Sequence, residues 1–230
     1  MSLSQETLIF LEQNPKFLST DSPFLIGKGT ERQCFLLPQH KDVLLKLSPR
    51  KSDKQTRREI DYFNFLFHKK IPFSHLPQFL GSVQTKEYNG FLQERVLNTD
   101  GTPAVTLCQY IKDLSPLQQN SKEEIQQMLA EFFRYLYWHN ILPCDLQTDN
   151  LLVKITKNGK KLILVDGLGS TDFINLSQYV TWIGRKKILR KINFFLNHDH
   201  FLLTLFENKE NISDWIFTQV TTPPENTNFK

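Results

Sequence analysis

The sequence predicts an α+β fold with a strand-rich amino-terminal part and a helix-rich carboxy-terminal part. Three observations point there. Apolar runs of strand length cluster in residues 24–47 and 79–97. The longest helical periodicities lie after residue 120. The elements run strands, helix, strands, helix, hairpin, helices, so the two types are segregated, which argues against a doubly wound sheet.

Residues 24–29, 32–37 and 42–47 read as paired strands separated by turn residues. Ser52, with Gln55 as a capping-box partner, is expected to open a helix whose apolar face carries Ile60, Phe63 and Phe67. A second strand pair is expected at 79–85 and 90–97, with Glu87-Tyr88-Asn89-Gly90 as its turn. Residues 98–120 are mixed in character. Ser121 and Glu124 form another capping-box pattern, and Ile125, Leu129, Phe132 and Leu136 lie on one face of the helix behind it. Two apolar runs, 151–155 and 161–165, flank an Asn158-Gly159 turn and predict a hairpin. A basic helix over 184–196 and a shorter helix around 211–218 follow, and a disordered tail is expected over 219–230.

A chain of 230 residues suits one compact domain of two lobes. At 40% hydrophobic and 23% charged residues, it can build a core without disulfide or metal staples. The 19 phenylalanines read as core filler. Lys and Arg exceed Asp and Glu by 28 to 24, a mild net +4 that permits an anionic substrate without demanding nucleic acid. Cys34, Cys108 and Cys144 are widely spaced with no C-x-x-C, so neither a disulfide framework nor a zinc site is suggested, and a reducing cytoplasm fits best. The apolar run Leu8–Leu11 is too short for a signal peptide, and no apolar span is long enough for a membrane helix.

Four features carry chemistry. Asp145 and Asn150 flank a loop between the long helix and the hairpin; a carboxylate there can take a proton from an attacking hydroxyl, and an amide oxygen can ligate a hard metal ion. A polar helix–strand turn also accounts for them in isolation. Asp166, followed by Gly167, ends the second hairpin strand; the hairpin should bring it to the same edge as Asn150, giving two oxygen ligands of the kind Mg²⁺ bound to phosphates takes. Gly27-Lys28-Gly29 follows a strand and would let backbone amides approach phosphate oxygens. Lys46 interrupts an apolar strand, a costly position unless the lysine is paired or exposed, and Glu59 on the next helix is its expected partner.

In this order and spacing, these residues resemble the protein-kinase-like superfamily over residues ~24–170. Gly29-Thr30-Glu31-Arg32-Gln33-Cys34-Phe35 with Pro38, then Val165-Asp166-Gly167-Leu168-Gly169, then the Arg185–Lys191 basic stretch, look like the bacterial YrbL family, named for control by the PhoP regulatory network. The resemblance implies one bilobal kinase-like domain, with a small β-rich N-lobe at 20–96 and a reduced helical C-lobe at 97–218. It also implies ATP and Mg²⁺ as cofactors and phosphoryl transfer to an acceptor it does not name. Lys46 would contact the α- and β-phosphates and be held by Glu59. Asp145 would be the catalytic base, and Asn150 and Asp166 would hold the metal. Gln93 looks like the residue at the back of the adenine pocket, with the Glu94 carbonyl and Val96 amide as adenine-binding groups.

Pro143-Cys144 stand where the family pattern has His-Arg, Gly167 stands where it has Phe, and no A-P-E segment follows. These departures put a peptide substrate in doubt and keep open a nucleotide-binding pseudokinase acting as a regulator. The basic stretch holds Arg185, Lys186, Lys187, Arg190 and Lys191 beside an apolar face of Ile188, Ile192, Phe195 and Leu196. It reads either as a solvated face or as a docking surface for an anionic acceptor, a membrane surface or a protein, with Lys187, Arg190 and Lys191 as an exposed ridge. A nucleic-acid-binding module ranks last, because no zinc signature or aromatic-rich motif accompanies the charge. His139 reads as a packing residue.

Overall fold

The computed structural model describes residues 1–114, 120–169, 176–206 and 209–223. The chain divides into two compact units, Met1–Leu97 and Asn98–Lys230.

Unit 1 begins with helix α1 (Leu3–Gln13), whose start is closed by a reciprocal capping box between Ser2 and Gln5. Five antiparallel strands follow: β1 (Leu25–Lys28), β2 (Gln33–Leu37), β3 (His40–Pro49), β4 (Phe79–Gln84) and β5 (Tyr88–Glu94), paired in the order β1-β2-β3-β5-β4. Helix α2 (Lys54–His68) connects β3 to β4.

Period-two alternation in β3 sets the two faces of this sheet. Val43, Leu45 and Leu47 join Leu11, Phe17, Phe35, Val83 and Leu92 in one apolar cluster. Lys46 and Ser48, of opposite parity, belong to the other face. There the Ser48 hydroxyl bonds the Thr56 hydroxyl of α2 at 2.6 Å, and Phe63 of α2 packs on Phe91 of β5.

Three local expectations are corrected. Helix α2 starts after Asp53 without a side-chain cap bond; the Asp53 carboxylate instead accepts from Asn89 Nδ2 at 3.1 Å and pairs with Arg57 at 2.7 Å. Its buried face runs Glu59, Ile60, Tyr62, Phe63, Leu66, whereas Phe67 is 75% exposed, because Leu66 takes the inward position one turn after Phe63. The β4–β5 turn lies at 85–87, where Thr85 Oγ1 accepts the Glu87 and Tyr88 amides. Gly90 is therefore inside β5, opposite Leu47 and Val83. A methyl group on Gly90 would fall on the Lys46 carbonyl oxygen and the Leu47 side chain, so glycine lets the strands close beside the lysine.

Unit 2 contains β6 (Val105–Thr106), α3 (Leu107–Lys112), α4 (Asn120–Trp138), the hairpin β7 (Leu151–Thr156) and β8 (Gly159–Leu164), α5 (Leu176–Tyr179), α6 (Thr181–His198), α7 (His200–Leu205) and α8 (Lys209–Thr221). The small sheet has the order β6-β7-β8. Ile125, Leu129, Phe132 and Leu136 of α4 are fully buried, as their spacing requires. The helix begins at Asn120, ahead of the expected Ser121 cap. Glu124 accepts from the Tyr110 hydroxyl and from Lys160, each at 2.8 Å, tying α4 to α3 and β8.

Helix α8 docks on α4 by two bonds to its last turn, from Arg134 Nε to the Gln219 carbonyl (3.1 Å) and from Trp138 Nε1 to the Val220 carbonyl (3.0 Å). These bonds carry the helix to Thr221, past residue 219 where the tail was expected to begin; residues 224–230 of that tail lie outside the described residues. Among the described residues, no helix is long and apolar enough to cross a membrane.

Candidate active site

In unit 1, strand parity places Lys46 on the α2 side of the sheet, cross-strand from Cys34 and Phe91. Its ammonium lies 5.7 Å from the centroid of the Phe91 ring, and the residue is only 7% exposed. The Arg32 guanidinium lies over the same ring, also at 5.7 Å. The ring quadrupole stabilises both cations. They also concentrate positive charge where β2 and β3 meet.

Glu59 is 1% exposed and forms an ion pair and hydrogen bond with Arg32. Arg32 therefore holds this carboxylate, for which Lys46 was the expected partner. Arg32 lies inside the family motif, but no local pattern marks its role, since the signal for a buried arginine is tertiary.

Gly27 pairs with Cys34 across β1–β2, and the Gly29 amide donates to the Arg32 carbonyl at 2.7 Å, closing the turn. The chain's own packing does not demand glycine at these positions: a Cβ at Gly27 or Gly29 would meet ordinary contacts at 3.7 and 3.6 Å. At the far end of β5, the Glu94 amide donates to the Gln78 carbonyl at 2.9 Å, and Val96 is buried. Gln93 is 1% exposed, and its Oε1 has no hydrogen-bond partner among the described residues.

In unit 2, the hairpin register pairs Leu151 with Leu164, so Asn150 and Asp166 flank the same end. The Val165 amide donates to the Asn150 carbonyl at 3.0 Å and extends that pairing by one step. Asn150 Nδ2 donates to Asp145 Oδ2 (3.1 Å) and to the Asp145 carbonyl (3.2 Å). Gln147 Nε2 donates to Asp145 Oδ1 at 2.8 Å, and the Gly167 amide donates to Asp166 Oδ1 at 2.7 Å.

The two acidic segments are themselves cross-linked. The amides of Cys144 and Asp145 both donate to the Gly167 carbonyl, at 2.7 and 3.3 Å, and the Gly169 amide donates to the Leu142 carbonyl at 3.0 Å. Gly167 has φ +75°, and a Cβ there would lie 2.6 Å from the Asp145 carbonyl oxygen. Glycine after Asp166 is thus a packing requirement: it lets the Asp166 segment close on Asp145. The sequence showed it only as a departure from the family pattern.

Further along the loop, Asp199 accepts from the Thr148 amide (3.1 Å) and hydroxyl (3.0 Å) through one carboxylate oxygen and caps α7 through the other. Its place beyond a whole helix left it silent in the sequence. Arg185 lies over Tyr137 and Trp138 at 4.9 and 4.6 Å and donates to the Tyr137 carbonyl. Lys191 donates to the Cys144 carbonyl at 2.8 Å. The expected ridge of Lys187, Arg190 and Lys191 is therefore corrected: Arg190 is exposed, while Lys191 is turned onto the loop. His139 is half-buried beside Tyr135, and burial holds its imidazole below the usual histidine range.

Two carboxylates and one amide oxygen are hard donors that suit Mg²⁺. Among the described residues, no group of three or more His, Cys, Asp or Glu could hold a metal by itself. A cation here would need further oxygens, such as those of a nucleotide.

The fold is protein-kinase-like. A solved structure of the kinase Rad53, residues 1–466 in complex with AMP-PNP, matches 93% of this chain with a TM-score of 0.52 at 12% identity. The chain spans 57% of that Rad53 chain's length. The family model of the PhoP regulatory network protein YrbL matches residues 18–199, and the chain belongs to that family. Relatives include the YrbL proteins of Escherichia coli (strain K12) and Shigella flexneri, both described as uncharacterized. Each is 27% identical over 180 residues, covering 74% of this chain and 81% of the relative.

Proposed function

We propose that the protein is an ATP- and Mg²⁺-dependent phosphotransferase. The observation that carries this reading is the cross-linked loop pair of unit 2. Asp145 is oriented by Gln147 and Asn150, and Asp166 is brought against it through Gly167.

In this reading Asp145 takes the proton of the acceptor hydroxyl, and its two amide donors fix the direction from which it does so. Asn150 spends its Nδ2 on Asp145, which leaves its amide oxygen for the metal; Asp166 supplies the second metal ligand. Bound Mg²⁺ neutralises phosphate charge during transfer. Lys46 binds phosphate oxygens, and Glu59 acts on the nucleotide through Arg32 and the turn it anchors. Gly27 and Gly29 give phosphates room against backbone amides. The Glu94 carbonyl and Val96 amide serve the adenine edge. The likeness to a Rad53 complex with AMP-PNP supports nucleotide binding.

The test is thermal stability with ATP, with Mg²⁺ and with both. The reading requires a shift from the pair larger than the sum of the separate shifts, and the Asp166→Ala variant should lose that synergy. Equal shifts from ATP with and without metal contradict the assigned site.

A second reading is a regulator that binds nucleotide without turning it over. It is favoured by the Asp145 carboxylate, since both its oxygens already accept hydrogen bonds. Release of phosphate from ATP separates the two.

A further inference from the structure

Pro143-Cys144 stand where the kinase pattern has His-Arg, so that pair is not there to position Asp145. The structure braces it from a distance. Lys191 of α6 donates to the carbonyl of Cys144, the residue that precedes Asp145, at 2.8 Å.

This lysine is placed by helix geometry. Ile188, Ile192 and Phe195 form the buried stripe of α6. At about 100° per residue, Lys191 flanks that stripe, so its stem runs along the packed face while its ammonium reaches the loop. A half-buried ammonium spent on a neutral carbonyl gives up water and rotamer freedom that an exposed lysine keeps. The exposed Lys186, which lies over Trp182 on the same helix, keeps its ammonium in water.

The bond also completes the bracing of one short segment. The Cys144 and Asp145 amides go to the Gly167 carbonyl, the Cys144 carbonyl goes to Lys191, and Thr148 goes to Asp199 at the end of the same helix. Helix α6 thus holds the loop on both sides of Asp145.

We infer that Lys191 is a positioning residue for Asp145: its ammonium fixes the peptide before the aspartate and so sets the direction of the carboxylate. The inference rests on the phosphotransfer reading for its catalytic half; the tether itself does not depend on nucleotide.

The test uses the full chain with three variants: Lys191→Met, which keeps the stem and removes the charge; Lys191→Arg, which restores a cation; and Lys186→Ala, which removes an exposed cation from the same helix. Two quantities are read: hydrogen exchange of the Cys144 and Asp145 amides without nucleotide, and the kinetics of Mg·ATP hydrolysis.

Lys191→Met should speed exchange of those amides at least about tenfold and lower kcat about 10–100-fold, the scale of a misplaced catalytic group. KM for ATP should stay within about twofold, because binding is not disturbed. Lys191→Arg should recover most of both effects, and Lys186→Ala should match wild type. Wild-type exchange in Lys191→Met overturns the tether. Faster exchange with unchanged kcat, or kcat and KM moving together, overturns the positioning role. A wild-type chain that hydrolyses no ATP contradicts the phosphotransfer reading and with it the catalytic half, while the exchange measurement still decides the tether.

Discussion

The carboxylate of Glu59 on α2 is held by the guanidinium of Arg32 beside the β1–β2 turn, and the two side chains are 1% and 8% exposed. The glycine turn is thereby tied to the helix, with the Phe91 ring beneath Arg32 and Lys46. Removing one partner strands a buried charge, so Arg32→Met or Glu59→Ala should each cost about 3–5 kcal/mol. The double variant should cost clearly less than the sum. Urea titration of the four proteins measures the coupling, and strictly additive losses would show that the pair does not act as a unit.

Gly159 and Gly167 need glycine for different reasons, and alanine substitution separates them. Gly159 has φ +124° with open space around the missing side chain, so Gly159→Ala should cost only backbone strain, about 1–3 kcal/mol. Gly167 adds a collision with the Asp145 backbone to its positive φ. Gly167→Ala should therefore destabilise more than Gly159→Ala and should also weaken the joint effect of ATP and Mg²⁺. Thermal melts with and without Mg·ATP compare the two.

Much of this architecture is legible in the residues. The 3.6-residue spacing of Ile125, Leu129, Phe132 and Leu136 specifies the buried face of α4. The Asn158-Gly159 signal marks the hairpin whose register brings Asn150 and Asp166 to one end. Helix α1 carries a Ser2–Gln5 capping box whose spacing is also legible in the residues. Phe67 was misplaced because Phe63 has apolar residues both three and four positions on, and only tertiary packing chooses Leu66. The capping pattern at Ser52 gives way to Asp53, which bonds Asn89 and its i+4 neighbour Arg57, and Glu124 bonds Lys160 and Tyr110. The braces of the candidate residues, Arg32 in unit 1 and Lys191 and Asp199 in unit 2, act on residues 27 to 51 positions away, and no local pattern records such bonds.

The Glu124–Lys160–Tyr110 cluster sets a pH window. Burial alone would raise the Glu124 carboxyl, but hydrogen bonds from Lys160 and Tyr110 outweigh it and hold the group below its usual range. Burial works against the charged form of Lys160, but its bonds to Glu124 and Tyr110 raise it. A depressed carboxyl contributes stability above its unfolded value of about 4.3 and loses it as pH falls through the folded value. A raised ammonium contributes below about 10.4 and loses it as pH rises through the folded value. The contribution is thus present between those limits. Because the pair is partly exposed, Glu124→Gln should cost only about 0.5–1 kcal/mol at pH 7. Its gap to wild type should narrow as pH falls below about 4.3, the unfolded carboxyl value. Denaturant titrations at pH 7 and pH 3.5 test this, and a gap that persists in acid would assign it to packing.

The most direct test is release or transfer of the terminal phosphate of ATP by the full chain with Mg²⁺, in wild type and in the Asp145→Asn and Lys46→Met variants. Wild type should show measurable turnover. Asp145→Asn should lose about two or more decades of kcat while the ATP- and Mg²⁺-dependent thermal shift persists. Lys46→Met should lose several decades, because phosphoryl transfer depends on charge stabilisation and positioning. Turnover in both variants equal to wild type, or no turnover in a wild-type chain that binds Mg·ATP, would contradict it.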